Sequence, residues 1–322
     1  MSENGIKGNE RDFSLDLIKV TSCILIVILH SPFLCEGLLL YVYRAITAVA
    51  VPSFMAVSGY LIFYYRNMKY RNILKQALRL TGVFLVWWCV YTLVNYNGSE
   101  PLIFWAIRNS EGWHLWYLVI YIKILLFYPF IRIIADSRRL AVIFSVLWLI
   151  LVSIRFTLGC IGVDSIFLRP FNFPMFEYTG YLGGTIMGYY PTECLGLFIG
   201  GGMLISWLKK TSIKAKVLIS LLGLTGIVVT AIMVTMTIRI GGKSYFDYAL
   251  QPLQINVVIT SIGFIAFMLL ISHYIDKRMY AQKFHTIITA ASQKTLGVYV
   301  VHPLIYRIIR MVPENSGGGG IC

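Results

Sequence analysis

Runs of about twenty mostly apolar residues recur along nearly the whole chain, and a run of that length crosses the hydrocarbon of a bilayer as a helix. Of the 322 residues, 58% are hydrophobic and 13% are charged, where a soluble domain carries roughly a quarter charged residues. The expectation is an all-α, polytopic transmembrane helical bundle forming one membrane domain, with about nine to ten spans. Nine can be placed: 14–34, 44–65, 73–96, 113–134, 139–159, 178–207, 214–238, 253–275 and 286–310.

The formal net charge of +14 does not point to nucleic acid. The basic residues sit in short loops between apolar runs, where cytoplasmic loops face an anionic leaflet. "RNMKYRN", "RIIADSRR", "KKTSIKAK" and "DKRMYAQK" alternate with the weakly basic "NGSEPL", "CIGVDS" and "GGKSYFD". This places the N-terminus in the cytoplasm of a multi-pass cell-membrane protein. Residues 1–13 read as a cytoplasmic tail, 14–310 as the membrane domain and 311–322 as a flexible C-terminal tail. The first span, lacking a small-residue cleavage site, reads as a retained helix. Residues 98–112 suit an interfacial helix or a re-entrant piece. The Gly-, Pro- and aromatic-rich stretch 160–193 reads as either a cavity wall or an ordinary loop. Asn97-Gly98-Ser99 is a glycosylation sequon.

The six cysteines show no metal-ligand spacing, and no His/Cys cluster calls for a metal. Cys35 and Cys160 could share the outer side and pair; the others read as buried and apolar.

The first span, "LDLIKVTSCILIVILH", carries charge where charge is expensive. At about 100° per residue, Asp16, Lys19, Cys23 and His30 share one narrow stripe. Asp16 and Lys19 can pair as a juxtamembrane ion pair that fixes helix depth. His30 reads either as a neutral histidine bonded to a carbonyl or as a group that exchanges a proton near neutral pH. Three of the five histidines, His30, His114 and His302, fall in spans at matching depth, and Arg44 enters from the same side. Together they suggest a polar cavity lined by spans one, two, four and nine. His114, between aromatic neighbours, also suits an interfacial belt. In span two, "VPSFMAVSGYLIFYY", Pro52 is expected to loosen the helix, and Ser58-Gly59 to allow close packing. Lys75, Arg79 and Lys123 read as snorkelling cations or as a basic inner vestibule. Arg155 and Glu193 are further polar candidates within spans.

Five motifs in order resemble acyltransferase family 3. They are Arg11-x4-Asp16-xx-Lys19-x10-His30, "PSFMAVSGYLI", "HLWYL", "GYLGGTIMGY" and "TLGVYVVHPLI". The family's hallmark is an arginine, ten residues and a histidine. Lys19 stands at the arginine position, as in one branch of the family, and supplies a point charge where arginine supplies a fork.

The resemblance implies a membrane-bound O-acyltransferase, in the first instance an O-acetyltransferase. Its donor substrate is a cytoplasmic acyl-CoA (acetyl-CoA the simplest), its acceptor an outward-facing or lipid-linked glycan hydroxyl, and no metal is expected. His30 is then the base, with Asp16 and Lys19 supporting the inner part of the path. Arg44, His302, Tyr117, Ser58, His114, Arg155 and Glu193 are the substrate-binding candidates. The partners are the lipid bilayer and the acceptor, with no nucleic acid. The alternative is a membrane transporter. The membrane domain of the vancomycin-resistance serine racemase, associated with serine uptake, and an exporter of adhesin polysaccharide resemble the same family.

Overall fold

A computed structural model describes residues 11–31, 37–65, 68–108, 112–160, 191–241, 250–277 and 281–311. The expected cytoplasmic tail up to residue 10, the flexible C-terminal tail from 312, the Cys35–Cys160 pairing and most of the possible cavity wall over 160–193 lie outside the described residues. Among the described residues every regular element is helical.

Six helical stretches are long and apolar enough to cross a membrane: Phe13–His30, Val42–Tyr65, Tyr70–Asn95, Arg138–Leu158, Ile213–Met236 and Ile255–Asp276. A bent pair, Trp116–Leu126 and Tyr128–Asp136, brings the number to seven. Among the described residues the expected nine to ten is therefore not confirmed. The two other long helices, α10 (Pro191–Lys210) and α13 (Ala281–Met311), are not among these spans. Glycine and a first-turn Glu193 dilute α10, and α13 carries Lys283, Lys294, His302 and Arg307.

The bent pair corrects a second expectation, that of one continuous helix over 113–134. Helix α6 (Trp116–Leu126) and helix α7 (Tyr128–Asp136) meet at 77°. Pro129, in the first turn of α7, has no N–H to offer the carbonyl four residues back, and its ring clashes with a continuing turn. The α7 ladder restarts with the Phe127 carbonyl accepting from the Phe130 and Ile131 amides. Pro52 interrupts its span as expected: Val42–Tyr65 runs as α2 (Gly37–Ala48) and α3 (Ala50–Gly59), broken at Val49, because Pro52 has no N–H for the Ala48 carbonyl and the ladder resumes with Ser53.

Helix α1 (Phe13–His30) lies inside the bundle, against α2, α3, α13 and α12 (Ile255–Asp276). Its N-cap is Asp12, which accepts from the Ser14 amide and is ion-paired with Lys209 of α10. The Asp276–His285 pair and the Phe13–His285 stack, with centroids 3.8 Å apart, lie at the same end. The end of α10 and the facing ends of α12 and α13 thus meet at the Asp12 end of α1.

Two close approaches lock the bundle. A Cβ on Gly59 would stand 1.9 Å from the Phe198 carbonyl oxygen, so α3 and α10 touch backbone to backbone. Gly223 of α11 (Ile213–Gly241) and Gly263 of α12 meet in the same way. In lipid, where no hydrophobic force drives helices together, such small-residue contacts supply the packing. The outside is correspondingly apolar. Leu78, Leu85 and Val86 on α4 (Tyr70–Asn95), and Leu218, Leu221 and Leu224 on α11, are exposed. Cys89 on α4 is exposed as well, against the expectation of burial, whereas Cys23 and Cys194 are buried.

Candidate functional site

His30 is the last residue of α1, so the carbonyls of its final turn lack the donor four residues on, and among the described residues only that of Ile28 is met by a backbone amide, Ser31 at 3.1 Å. Side chains supply the donors. Tyr306 of α13 donates to the Val27 carbonyl at 2.7 Å. Ser31 and Tyr43 donate to that of Ile28, the serine at 2.7 Å. Arg44 donates Nη1 to that of Leu29 at 3.0 Å. Arg44 thus also sets a cation at the negative end of the helix dipole. Its Nε is buried without a hydrogen-bond partner among the described residues.

Around that helix end the structure brings three imidazoles together. His30 Nδ1 lies 2.9 Å from His302 Nε2, with the rings stacked at 23° and centroids 5.1 Å apart. The His114 ring stands edge-on to His302, centroids 5.7 Å apart, and to Tyr91 at 4.6 Å. His114 lies in a 3-10 turn (Trp113–Leu115) at the start of α6 and is 1% exposed, which argues against a place in an interfacial belt. Tyr299 of α13 donates to the His114 carbonyl. Tyr91 of α4 donates to the Val300 carbonyl at 2.8 Å.

These groups border a cavity of about 530 Å³, within the usual 300–1,000 Å³ of small-molecule sites. Its wall includes Lys19, His30, Arg44, Ser58, His114 and Tyr117. Ser58 and Tyr117 share a hydrogen bond of 2.9 Å. His302 is buried behind His30. The sequence reading passed over Gln76, Tyr121 and Tyr299, which also line the cavity; Gln76 donates to the Tyr121 hydroxyl at 3.1 Å. Their signal was spacing. Tyr117 and Tyr121 are four apart on one face, and Tyr299 precedes His302 by three.

Asp16 belongs elsewhere. It borders a smaller cleft of about 230 Å³ with Arg11, Asp12 and Tyr65. Arg11 forks onto its two oxygens at 3.0 and 3.1 Å, Ser292 donates at 2.6 Å and Thr289 at 3.3 Å. Lys19 borders both the cleft and the cavity. Arg155, at the start of α9 (Arg155–Cys160), and Glu193 are outside the cavity wall. Lys75 and Arg79 are exposed on α4, in keeping with snorkelling. A larger void of about 760 Å³ lies among α3, α10, α12 and α8 (Arg138–Trp148), but no imidazole lines it. No group of three or more His, Cys, Asp or Glu among the described residues has the arrangement of a metal site.

No curated protein and no solved structure matches the chain. A family model described as an acyltransferase domain, that of acyltransferase family 3, does match, over residues 12–314. That match runs through Lys19, His30 and His302 alike, and the chain belongs to this family of membrane acyltransferases.

Proposed function

We propose that the chain transfers an acyl group, in the first instance acetyl, from acyl-CoA to a hydroxyl of a surface or lipid-linked glycan. The observation that carries this reading is the His30–His302 pair on the wall of a cavity that also holds Arg44, Tyr117 and Ser58. Ester formation needs a base at the acceptor hydroxyl and positive charge where the carbonyl oxygen gains electrons. In this reading His30 takes the hydroxyl proton as the oxygen attacks the thioester carbonyl. The C–O bond forms, the C–S bond breaks, and the proton returns from His30 to the departing thiolate. Arg44, on the cavity wall, supplies positive charge near the developing oxyanion. Tyr117 and Ser58 orient the acceptor.

The donor enters by the cleft at the Asp12 end, taken as cytoplasmic from the loop charges. Lys19, on both voids, favours its phosphates and marks the way inward. Eleven residues separate Lys19 from His30, about 16 Å along the helix, so an extended thioester arm reaches from one to the other.

The test replaces His30 with alanine and with glutamine. With membrane levels matched, acyl esters on surface glycan and uptake of labelled serine are measured. Loss of esters by about 100- to 10,000-fold with unchanged uptake is the expected result. Normal esters with lost uptake would replace this reading with a transporter.

A further inference from the structure

From the hydrogen bonds around residue 302 we infer that Pro303, Tyr299 and His302 form a device that fixes the tautomer of His30. The ring thereby presents its Nε2 lone pair for proton transfer. The inference deepens the acyl-transfer reading and rests on it for its catalytic consequence, though not for its geometry.

The argument starts inside α13. Proline has no backbone N–H, so Pro303 leaves the carbonyl four residues earlier, that of Tyr299, without its helical donor. In a membrane interior such a carbonyl must find another donor. His302 Nδ1 lies 2.7 Å from it. A carbonyl oxygen only accepts, so His302 Nδ1 carries the hydrogen. In a neutral imidazole the other nitrogen is then an acceptor. His302 Nε2 faces His30 Nδ1 at 2.9 Å, so His30 Nδ1 carries its own hydrogen and donates it. The lone pair of neutral His30 is left on Nε2.

The chain of donors has a chemical effect. When His30 gains a proton at Nε2 it becomes an imidazolium, and its bond to His302 becomes charge-assisted, about twice as strong as before. The stabilisation appears only as charge develops, which is what catalysis requires. Both His302 nitrogens are engaged within the protein, so it acts through His30 as a positioning residue. The further tie of Tyr299 to the His114 carbonyl keeps this turn of α13 against the start of α6.

The experiment uses the full chain in nanodiscs with 15N-labelled histidine, comparing native protein with His302→Gln, His302→Leu and Pro303→Ala; loss of the signal in His30→Gln assigns it. At neutral pH the native His30 ring is expected with hydrogen on Nδ1. Glutamine, whose amide can donate to Tyr299 and accept from His30, is expected to keep that form and most of the activity. Leucine is expected to shift His30 toward the Nε2–H form and to cost about 10- to 100-fold in transfer, the worth of one charge-assisted hydrogen bond. Pro303→Ala restores an N–H that competes for the Tyr299 carbonyl, so it is expected to loosen the tautomer and slow transfer without lowering the melting temperature. A native His30 ring carrying hydrogen on Nε2, or a leucine variant with an unchanged tautomer, overturns the inference. The ring signals are read without substrate, so a correct tautomer with no ester formed would instead sink the acyl-transfer reading.

Discussion

The two ends of α1 are both polar and both face α13, yet they are built differently. At the Asp16 end a carboxylate is held by Arg11, Ser292 and Thr289. At the His30 end the backbone carbonyls take the donors, and the imidazole stands beside a cavity. A buried charge enclosed by its own partners fixes structure, whereas a titratable ring on a cavity wall can exchange a proton with what enters. Within eighteen residues α1 thus carries an enclosed carboxylate at one end and a ring on a cavity wall at the other.

Substitutions can break that contrast. The largest expected difference is between His30→Ala and Asp16→Ala. The first should remove ester formation and leave the melting temperature in detergent close to native. The second should lose about 2–3 kcal/mol of stability, the scale of hydrogen bonds to a charged group, while the folded fraction transfers acyl groups within a few-fold of native. Thermal unfolding beside activity per folded protein checks both, and a dead but stable Asp16→Ala would erase the distinction. Next comes Lys19→Met, between the two ends. It is expected to raise the KM for acyl-CoA about tenfold, the worth of one partly desolvated charge contact, with little change in kcat. Initial rates over a range of donor concentrations decide it. The smallest effect is expected from Tyr117→Phe, which removes the hydroxyl bonded to Ser58. It should cost about 1 kcal/mol or less, seen as a modest rise in the KM for the acceptor.

How much of this was legible beforehand can be traced residue by residue. The stripe on α1 was visible because helical periodicity is local. The meeting of His30, His114 and His302 followed from depth, since the loop charges set the direction of each span. The Arg11–Asp16 fork could not be read from periodicity, because Arg11 precedes the N-cap and reaches Asp16 from outside the helix. Pro129 was in plain view, and its missing N–H is the reason α6 and α7 are two helices. Helix α13 is legible as the apolar run 286–310, yet Lys283, Lys294, His302 and Arg307 keep it out of the apolar spans of the structure. Arg155 and Glu193 were chosen for charge at membrane depth, a criterion blind to which way a helix faces.

The capped end of α1 bears on how a catalytic cycle could proceed. Turning the helix by one residue's step would take the Val27 and Leu29 carbonyls from their side-chain donors, at roughly 1–3 kcal/mol apiece. On the acyl-transfer reading the imidazole is therefore a stationary post, to which donor and acceptor have to come.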